Sequence, residues 1–142
     1  MSGDRQLATF SLGEFFFGVE VRSVQEVIRF QEMTPVPLAA SEVRGLINLR
    51  GQIVTAIDLR RRLRLPERAG DELPMNVVVN RDSEVISFLV DEIGDVIEVE
   101  QTCFESAPNT VPEAVRSLLG GVFKLDGRLL LVLDIERAVE IH

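Results

Sequence analysis

Along most of this chain apolar and polar positions alternate with a period of two, and the alternating stretches are crowded with Val and Ile. That is the mark of half-buried strands rather than of amphipathic helices. The pattern predicts strands over residues 7–12 and 15–21, joined as a hairpin at Gly13-Glu14. Further strands are predicted over 53–57, 76–79, 85–90, 96–99, 122–125 and 129–133. Helical signals are brief. Ser23 followed by Glu26 fits a capping box for a single turn, and Ser41 is placed to cap a turn through Glu42, Val43 and Arg44. Residues 112–119 read as a helix stopped by Gly120-Gly121. Asp58 and Asp134 each close an apolar strand and precede helix-compatible residues, so both read as N-caps. Residues 66–74 are polar, with Gly70 among them, and read as the loop between two halves. Many short strands at close spacing point to barrels or a sandwich.

The sequence also repeats itself. Gly45-Leu-Ile-Asn-Leu-Arg-Gly-Gln-Ile-Val-Thr-Ala-Ile-Asp58-Leu-Arg-Arg returns 76 positions later as Gly121-Val-Phe-Lys-Leu-Asp-Gly-Arg-Leu-Leu-Leu-Val-Leu-Asp134-Ile-Glu-Arg. Gly45/Gly121, Leu49/Leu125, Gly51/Gly127, Asp58/Asp134 and Arg61/Arg137 are identical pairs, and the remaining positions mostly keep apolar against apolar. Upstream, Val19-Glu20 aligns with Val90-Asp91; Val24, Glu26 and Val27 align with Val96, Glu98 and Val99; Val36-Pro37 aligns with Val111-Pro112. In each copy an apolar strand enters a Gly-containing turn, and a second strand returns to an Asp cap. One copy is too small to hide its own apolar faces, so two must pack together, predicting a pseudo-two-fold pair of small β-barrels.

Composition narrows the function. At 142 residues, 46% of them hydrophobic and 27% charged, the chain is sized for one self-sufficient domain. Its longest apolar run, residues 129–133, is strand-sized, and the Met1-Ser2-Gly3-Asp4-Arg5 start has no signal-peptide core; the expectation is a cytoplasmic protein without direct membrane insertion. A net charge of −8 and the absence of Trp and Tyr argue against a nucleic-acid partner. Cys103 stands alone between Glu100 and Glu105, an environment that argues against a reactive thiol, and is expected to serve as a small buried or half-buried hydrophobe. The single histidine is His142, which leaves no basis for a His triad or a metal cluster. Duplication makes Asp58 and Asp134 structural rather than an acid/base pair, and the acids at 91, 92, 95, 98 and 100 match no EF-hand spacing. No enzyme, cofactor or metal is expected; a protein-binding module is.

Within the repeat, divergent positions are where function can sit. The first hairpin tip reads Asn48-Leu49-Arg50-Gly51 and the second Lys124-Leu125-Asp126-Gly127, so Arg50 is a charge reversal on a duplicated turn. Arg suits multidentate recognition of carboxylates and is enriched in binding hot spots, but it also serves as a plain internal partner, for Glu26 for example. The run Arg60-Arg61-Arg62-Leu63-Arg64 reads either as a solvated helical turn or as a patch for an acidic partner.

Met33-Thr-Pro-Val-Pro-Leu, followed by Val43-Arg-Gly-Leu-Ile-Asn-Leu-Arg-Gly-Gln-Ile-Val-Thr-Ala-Ile-Asp-Leu-Arg, resembles the signature of the CheW-like chemotaxis adaptors. Phe10-Ser-Leu-Gly-Glu-Phe-Phe-Phe-Gly-Val-Glu-Val with Val24-Gln-Glu-Val is similar to that family's opening, and Gly121 with residues 129–137 is similar to its close. The resemblance spans roughly residues 6–141. It implies a mainly β fold of two intertwined five-stranded SH3-like barrels with short helices. They would form a single domain over 1–142 whose halves meet near 66–85, with the N-terminal strand shared with the second barrel. It implies a non-catalytic adaptor coupling chemoreceptor cytoplasmic tips to the histidine kinase CheA, whose regulatory domain shares the fold. The receptor-binding residues it implies are Val24, Glu26, Asn48, Leu49, Arg50 and Gly51, and Gly45 falls where the family places a glycine linked to kinase coupling. A scaffold of a non-chemotactic array, controlling surface motility or second-messenger synthesis, is the alternative. The sequence carries neither a receiver domain nor a phosphotransfer histidine.

Overall fold

The computed structural model describes residues 4–140. Eleven strands form two sheets. They are β1 (Asp4–Leu12), β2 (Phe15–Glu20), β3 (Val24–Ile28), β4 (Val43–Leu49), β5 (Gln52–Asp58), β6 (Met75–Arg81), β7 (Glu84–Val90), β8 (Glu92–Glu100), β9 (Phe104–Glu105), β10 (Leu119–Leu125) and β11 (Arg128–Leu133). Three short helices accompany them: α1 (Leu59–Arg62) and α2 (Glu113–Arg116) lie in connections and α3 (Ile135–Val139) follows β11. The first sheet has the order β8-β1-β2-β11-β10-β9 and the second β3-β6-β7-β5-β4. The first sheet therefore joins strands from both ends of the chain, and the second is built from the consecutive strands β3 to β7. The chain passes from the first sheet to the second through the 3₁₀ turn Val21–Ser23, and back again at Asp91. The ladders are open, yet each sheet curls: Ile28 on edge strand β3 packs with Ile47 and Leu49 on the opposite edge strand β4.

Alternation along the strands explains where the core sits. On β11, Leu131 and Leu133 face a large cluster shared by the two sheets, whereas Leu130 and Val132 face a smaller cluster inside the first sheet. On β6, Val77 and Val79 join the shared cluster and Val78 the inner cluster of the second sheet. Phe10, Phe17 and Phe88 are each at most 1% exposed at the centre of the shared cluster. Burying a Phe or Leu side chain contributes roughly 1.5–3 kcal/mol each, so the shared core is what welds the sheets together.

Hydrogen bonds verify the second half of the repeat. Asp58 N–H donates to Glu42 O and Asp134 N–H to Leu118 O, both at 2.8 Å, and both pairs obey the offset of 76. Both Asp side chains cap the helices that follow: Asp58 Oδ1 accepts from Arg60 N at 3.0 Å and Asp134 Oδ1 from Arg137 N at 3.2 Å. Upstream the alignment by residue type needs correction. Val27 pairs with Val77 and Val96 with Ala8, while Val24 pairs with Val79 and Ile93 with Phe10. The true counterparts are thus Val24/Ile93 and Val27/Val96, an offset of 69. Strand β8 is apolar at 93, 96, 97 and 99, so its pattern accepts several registers, and only the ladder chooses one.

Other local expectations were overridden by strand pairing. The capping-box residues Ser23 and Glu26 flank the start of β3, and residues 43 and 44 open β4 instead of a turn. The helix expected over 112–119 shrinks to α2, and Gly120-Gly121 lie within β10. Cys103 is exposed. Three arginines of the run are bonded internally, while Arg64 is exposed. Arg60 Nε donates to Asp91 Oδ1 at 2.9 Å, and Arg61 Nη1 donates to Ser41 O at 2.8 Å. Arg62 donates to Ala138 O, Arg137 O and Glu140 O at 3.0, 2.8 and 2.9 Å, supplying the C-terminal cap of α3 from 75 or more residues away.

Candidate protein-binding site

The diverged hairpin tip is built from its backbone upward. Leu49 pairs with Gln52, which leaves Arg50 and Gly51 as a two-residue loop. Their φ angles are 52° and 88°, both left-handed, as a right-twisting hairpin requires of such a turn. Gly51 occupies that region freely, but an arginine there costs about 1–2 kcal/mol. Asn48 Oδ1 accepts the Gly51 N–H at 2.9 Å and holds the loop shut. In the second copy Lys124 replaces Asn48, and only Gly127 (φ 83°) enters the left-handed region, while Asp126 stays outside it. The two tips differ in backbone as well as in charge.

Arg50 is ion-paired to Glu26. Glu26 lies on β3 and Arg50 at the tip of β4 and β5, so the pair bridges opposite edges of a curled sheet. The guanidinium-bearing side chain is still 71% exposed and that of Glu26 22%. A pair this exposed contributes at most about 1 kcal/mol to stability, so its weight lies in aiming the guanidinium rather than in holding the fold. Arg50 therefore has the internal partner Glu26, and most of its side chain still faces outward. Arg50→Asn is expected to leave stability unchanged or raise it by up to about 1 kcal/mol, since Asn tolerates a left-handed turn, as a urea midpoint would report.

The remaining sequence-selected positions divide by burial. Asn48 and Gly51 are exposed beside Arg50 and Glu26, forming one corner. Leu49, 7% exposed, belongs to the inner core of the second sheet, and Val24 packs partly against the shared core. Gly45 is buried in β4, where an added Cβ would lie 2.6 Å from Thr34 O. It makes room for the bridge between Thr34 and Leu46. Alternation missed Ile53, which pairs with Asn48 at the same corner and is 60% exposed. It shares a strand face with Ile57, 3% exposed, so the pattern promised cover that the hairpin's projection withholds. Among the described residues no group of metal-binding side chains comes together, and no helix is long and apolar enough to cross a membrane.

A CheW-like domain family model matches residues 6–141. The chain belongs to the CheW family. Chemotaxis protein CheW of Treponema pallidum is 34% identical over 136 residues, covering 93% of this chain and 80% of that protein. Chemotaxis protein CheW of Bacillus subtilis is 37% identical over 119 residues, covering 83% and 76%. The crystal structure of the scaffolding protein TtCheW from Thermoanaerobacter tengcongensis superimposes with a TM-score of 0.87 at 25% identity, covering 97% of this chain and 94% of that one. Agreement at that level extends to the two-sheet, mainly β architecture of the CheW fold.

Proposed function

We propose that this CheW-family chain is a non-catalytic chemotaxis adaptor that couples chemoreceptor signalling tips to the histidine kinase CheA at membrane-associated arrays in the cytoplasm. The observation that carries the receptor assignment is Arg50. It is an exposed guanidinium held in a strained left-handed turn and aimed by Glu26, at a tip where the two copies diverge in charge and backbone. The hairpin needs the left-handed backbone but not an arginine in it, where Asn would sit with less strain, so keeping Arg50 there supports a role in recognition. In this reading a receptor helix lays an apolar stripe along the corner near Ile53, and Arg50 sets register through charge-assisted hydrogen bonds. Asn48 and Gly51 hold the turn, Glu26 the guanidinium, while Val24 and Leu49 act from below through packing. The curled sheets are read as two SH3-like barrels, whose likeness to the kinase's regulatory domain lets the two proteins alternate.

Arg50→Glu is expected to leave the fold intact and to weaken capture of a purified receptor signalling-domain fragment by about 30-fold or more, the loss of one hot spot. Asp126→Arg, at the other tip, should leave capture unchanged. Undiminished capture by the Arg50→Glu variant would remove the assignment.

A further inference from the structure

The duplicated fold contains its own comparison, and it exposes a second site. After α1 the chain turns back and lays Arg68 into a cleft beside the crossover from β7 to β8. The Arg68 side chain is 9% exposed there; Nη1 lies 3.4 Å from Asp58 Oδ1, Nη2 donates to Leu89 O at 3.2 Å, and Nε lies 2.9 Å from Asp91 Oδ1. Its neighbour Glu67 pairs with Arg61 at 2.9 Å. The ladder registers identify the counterparts of these groups in the other half. Asp58 corresponds to Asp134 and Arg61 to Arg137, by the offset of 76; Leu89 corresponds to Glu20, by the offset of 69.

Asp134 and Glu20 line a cavity of about 500 Å³ beside the other crossover, from β2 to β3. No segment of the described chain fills it as residues 65–70 fill the first cleft. The substitutions between the clefts favour a cationic guest. Arg44, on the wall of the filled cleft, becomes Gly120, which opens space; Arg60 becomes Glu136 and Gly13 becomes Asp82, which add carboxylates. The cavity's own cations are engaged, Arg5 by Glu20 and Arg81 by Glu136 and Glu84. Its lining holds four carboxylates (Glu20, Asp82, Asp134, Glu136) against two guanidinia (Arg5, Arg81); Arg137 lies 3.6 Å from Asp134 as Arg61 lies 3.7 Å from Asp58 in the cleft that does hold Arg68, so one more cation is electrostatically acceptable. Asp91 has no acidic counterpart, since Arg22 takes its place outside the cavity lining. The open cleft thus offers two of the three acceptors that Arg68 uses.

We propose that this cleft binds an extended segment of another protein that inserts an arginine toward Asp134 and the Glu20 carbonyl, as Arg68 does toward Asp58 and the Leu89 carbonyl. A carboxylate preceding that arginine would meet Arg137, as Glu67 meets Arg61. The site is separate from the Arg50 corner and adds a second contact to the adaptor.

The chain's own filler supplies the probe: the capped hexapeptide Leu-Pro-Glu-Arg-Ala-Gly, residues 65–70. Titrated into the full-length protein, it is expected to shift the amide resonances of Ser23, Gly120 and Ile135, with affinity falling about tenfold when its arginine is replaced by glutamine. Asp82→Asn should weaken binding about threefold, because Asp82 is an exposed turn residue at φ 46° where Asn is well tolerated. Gly120→Phe should abolish binding by filling the space; an added Cβ there meets nothing nearer than 4.0 Å. The Arg50→Glu variant should respond like the unaltered chain, which separates this site from the receptor assignment. Absent shifts, equal binding of the glutamine peptide, or undiminished binding by both cleft variants would overturn the proposal. So would shifts confined to Gly13, Leu89 and Asp91, which would mean exchange into the filled cleft.

Discussion

Asp91→Asn is expected to lower the stability of this chain by about 3 kcal/mol, measured by urea denaturation. Asp91 is the residue at which the chain recrosses from one sheet to the other. Its carboxylate accepts from Arg60 Nε at 2.9 Å and from the Gly13 amide at 2.7 Å, and it lies 2.9 Å from Arg68 Nε. The crossover, the β1–β2 turn, α1 and the loop after it therefore meet on one side chain. With Arg60 13% and Arg68 9% exposed, removing the negative charge takes the nearest carboxylate from two largely buried guanidinia, leaving Arg60 the Pro66 carbonyl and Arg68 the Leu89 carbonyl and Asp58 at 3.4 Å. Breaking such a pair costs more than the pair contributed.

The same carboxylate sets an acid limit. Burial is the largest single influence on Asp91 and raises its pKa. The Arg60 hydrogen bond, the Gly13 amide and the charges of Arg60 and Arg68 together outweigh burial, leaving it below the ordinary carboxylate value. Because the folded state ionises at lower pH, the unfolded chain binds the extra proton, and stability rises with pH through this window. Asp91's contribution is complete above about pH 5 and is lost as pH falls through about 3.9 toward the folded value. Stability measured between about pH 5 and pH 2 should decline less steeply in Asp91→Asn than in the unaltered chain. Equal slopes would show that Asp91 is not the group responsible.

Gly45→Ala is expected to cost about 2 kcal/mol and to impair kinase coupling without Gly45 touching the kinase. The new methyl would sit 2.6 Å from Thr34 O and 3.0 Å from Thr34 C, both backbone atoms that cannot rotate away. Either β4 shifts or the Thr34 bridge opens, with loss of hydrogen bonds at 2.9 and 2.8 Å to Leu46. Hydrogen exchange at the Leu46 amide should quicken along with the stability loss. A variant that loses kinase capture with stability and exchange unchanged would make Gly45 a contact instead. Gly121 shows that the constraint belongs to the fold, since a Cβ there would lie 2.6 Å from Glu105 O on the neighbouring β9.

Much of this was open to reading from residues alone. Asp58 and Asp134 could be assigned as caps because strand-to-helix junctions leave amide donors that a carboxylate satisfies locally. The offset of 76 survived because turn glycines and caps are local requirements that cannot drift. The register of β3 and β8 was not readable, since alternation fixes a face but not a partner. Ser23 and Glu26 have the spacing of a capping box, yet Ser23 ends the 3₁₀ turn and Glu26 pairs with Val78 of β6, which satisfies the strand's backbone better than a lone helical turn would. Gly120-Gly121 looked like a helix stop for a related reason: what demands glycine at 121 is Phe104 and Glu105 lying against it.

The candidate sites divide along the same line. By itself the sequence determined most of the strands, the duplication, the family and the diverged Arg50 tip, because each depends on neighbours within a few residues or on a pattern repeated along the chain. The tertiary structure decided that Arg50 is both paired and exposed, that Arg60, Arg61 and Arg62 of the basic run are bonded internally, and that Arg68 fills one of two matching clefts. Those outcomes depend on which distant side chains a curled, interleaved pair of sheets brings within hydrogen-bonding distance. Alternation carries no information about that.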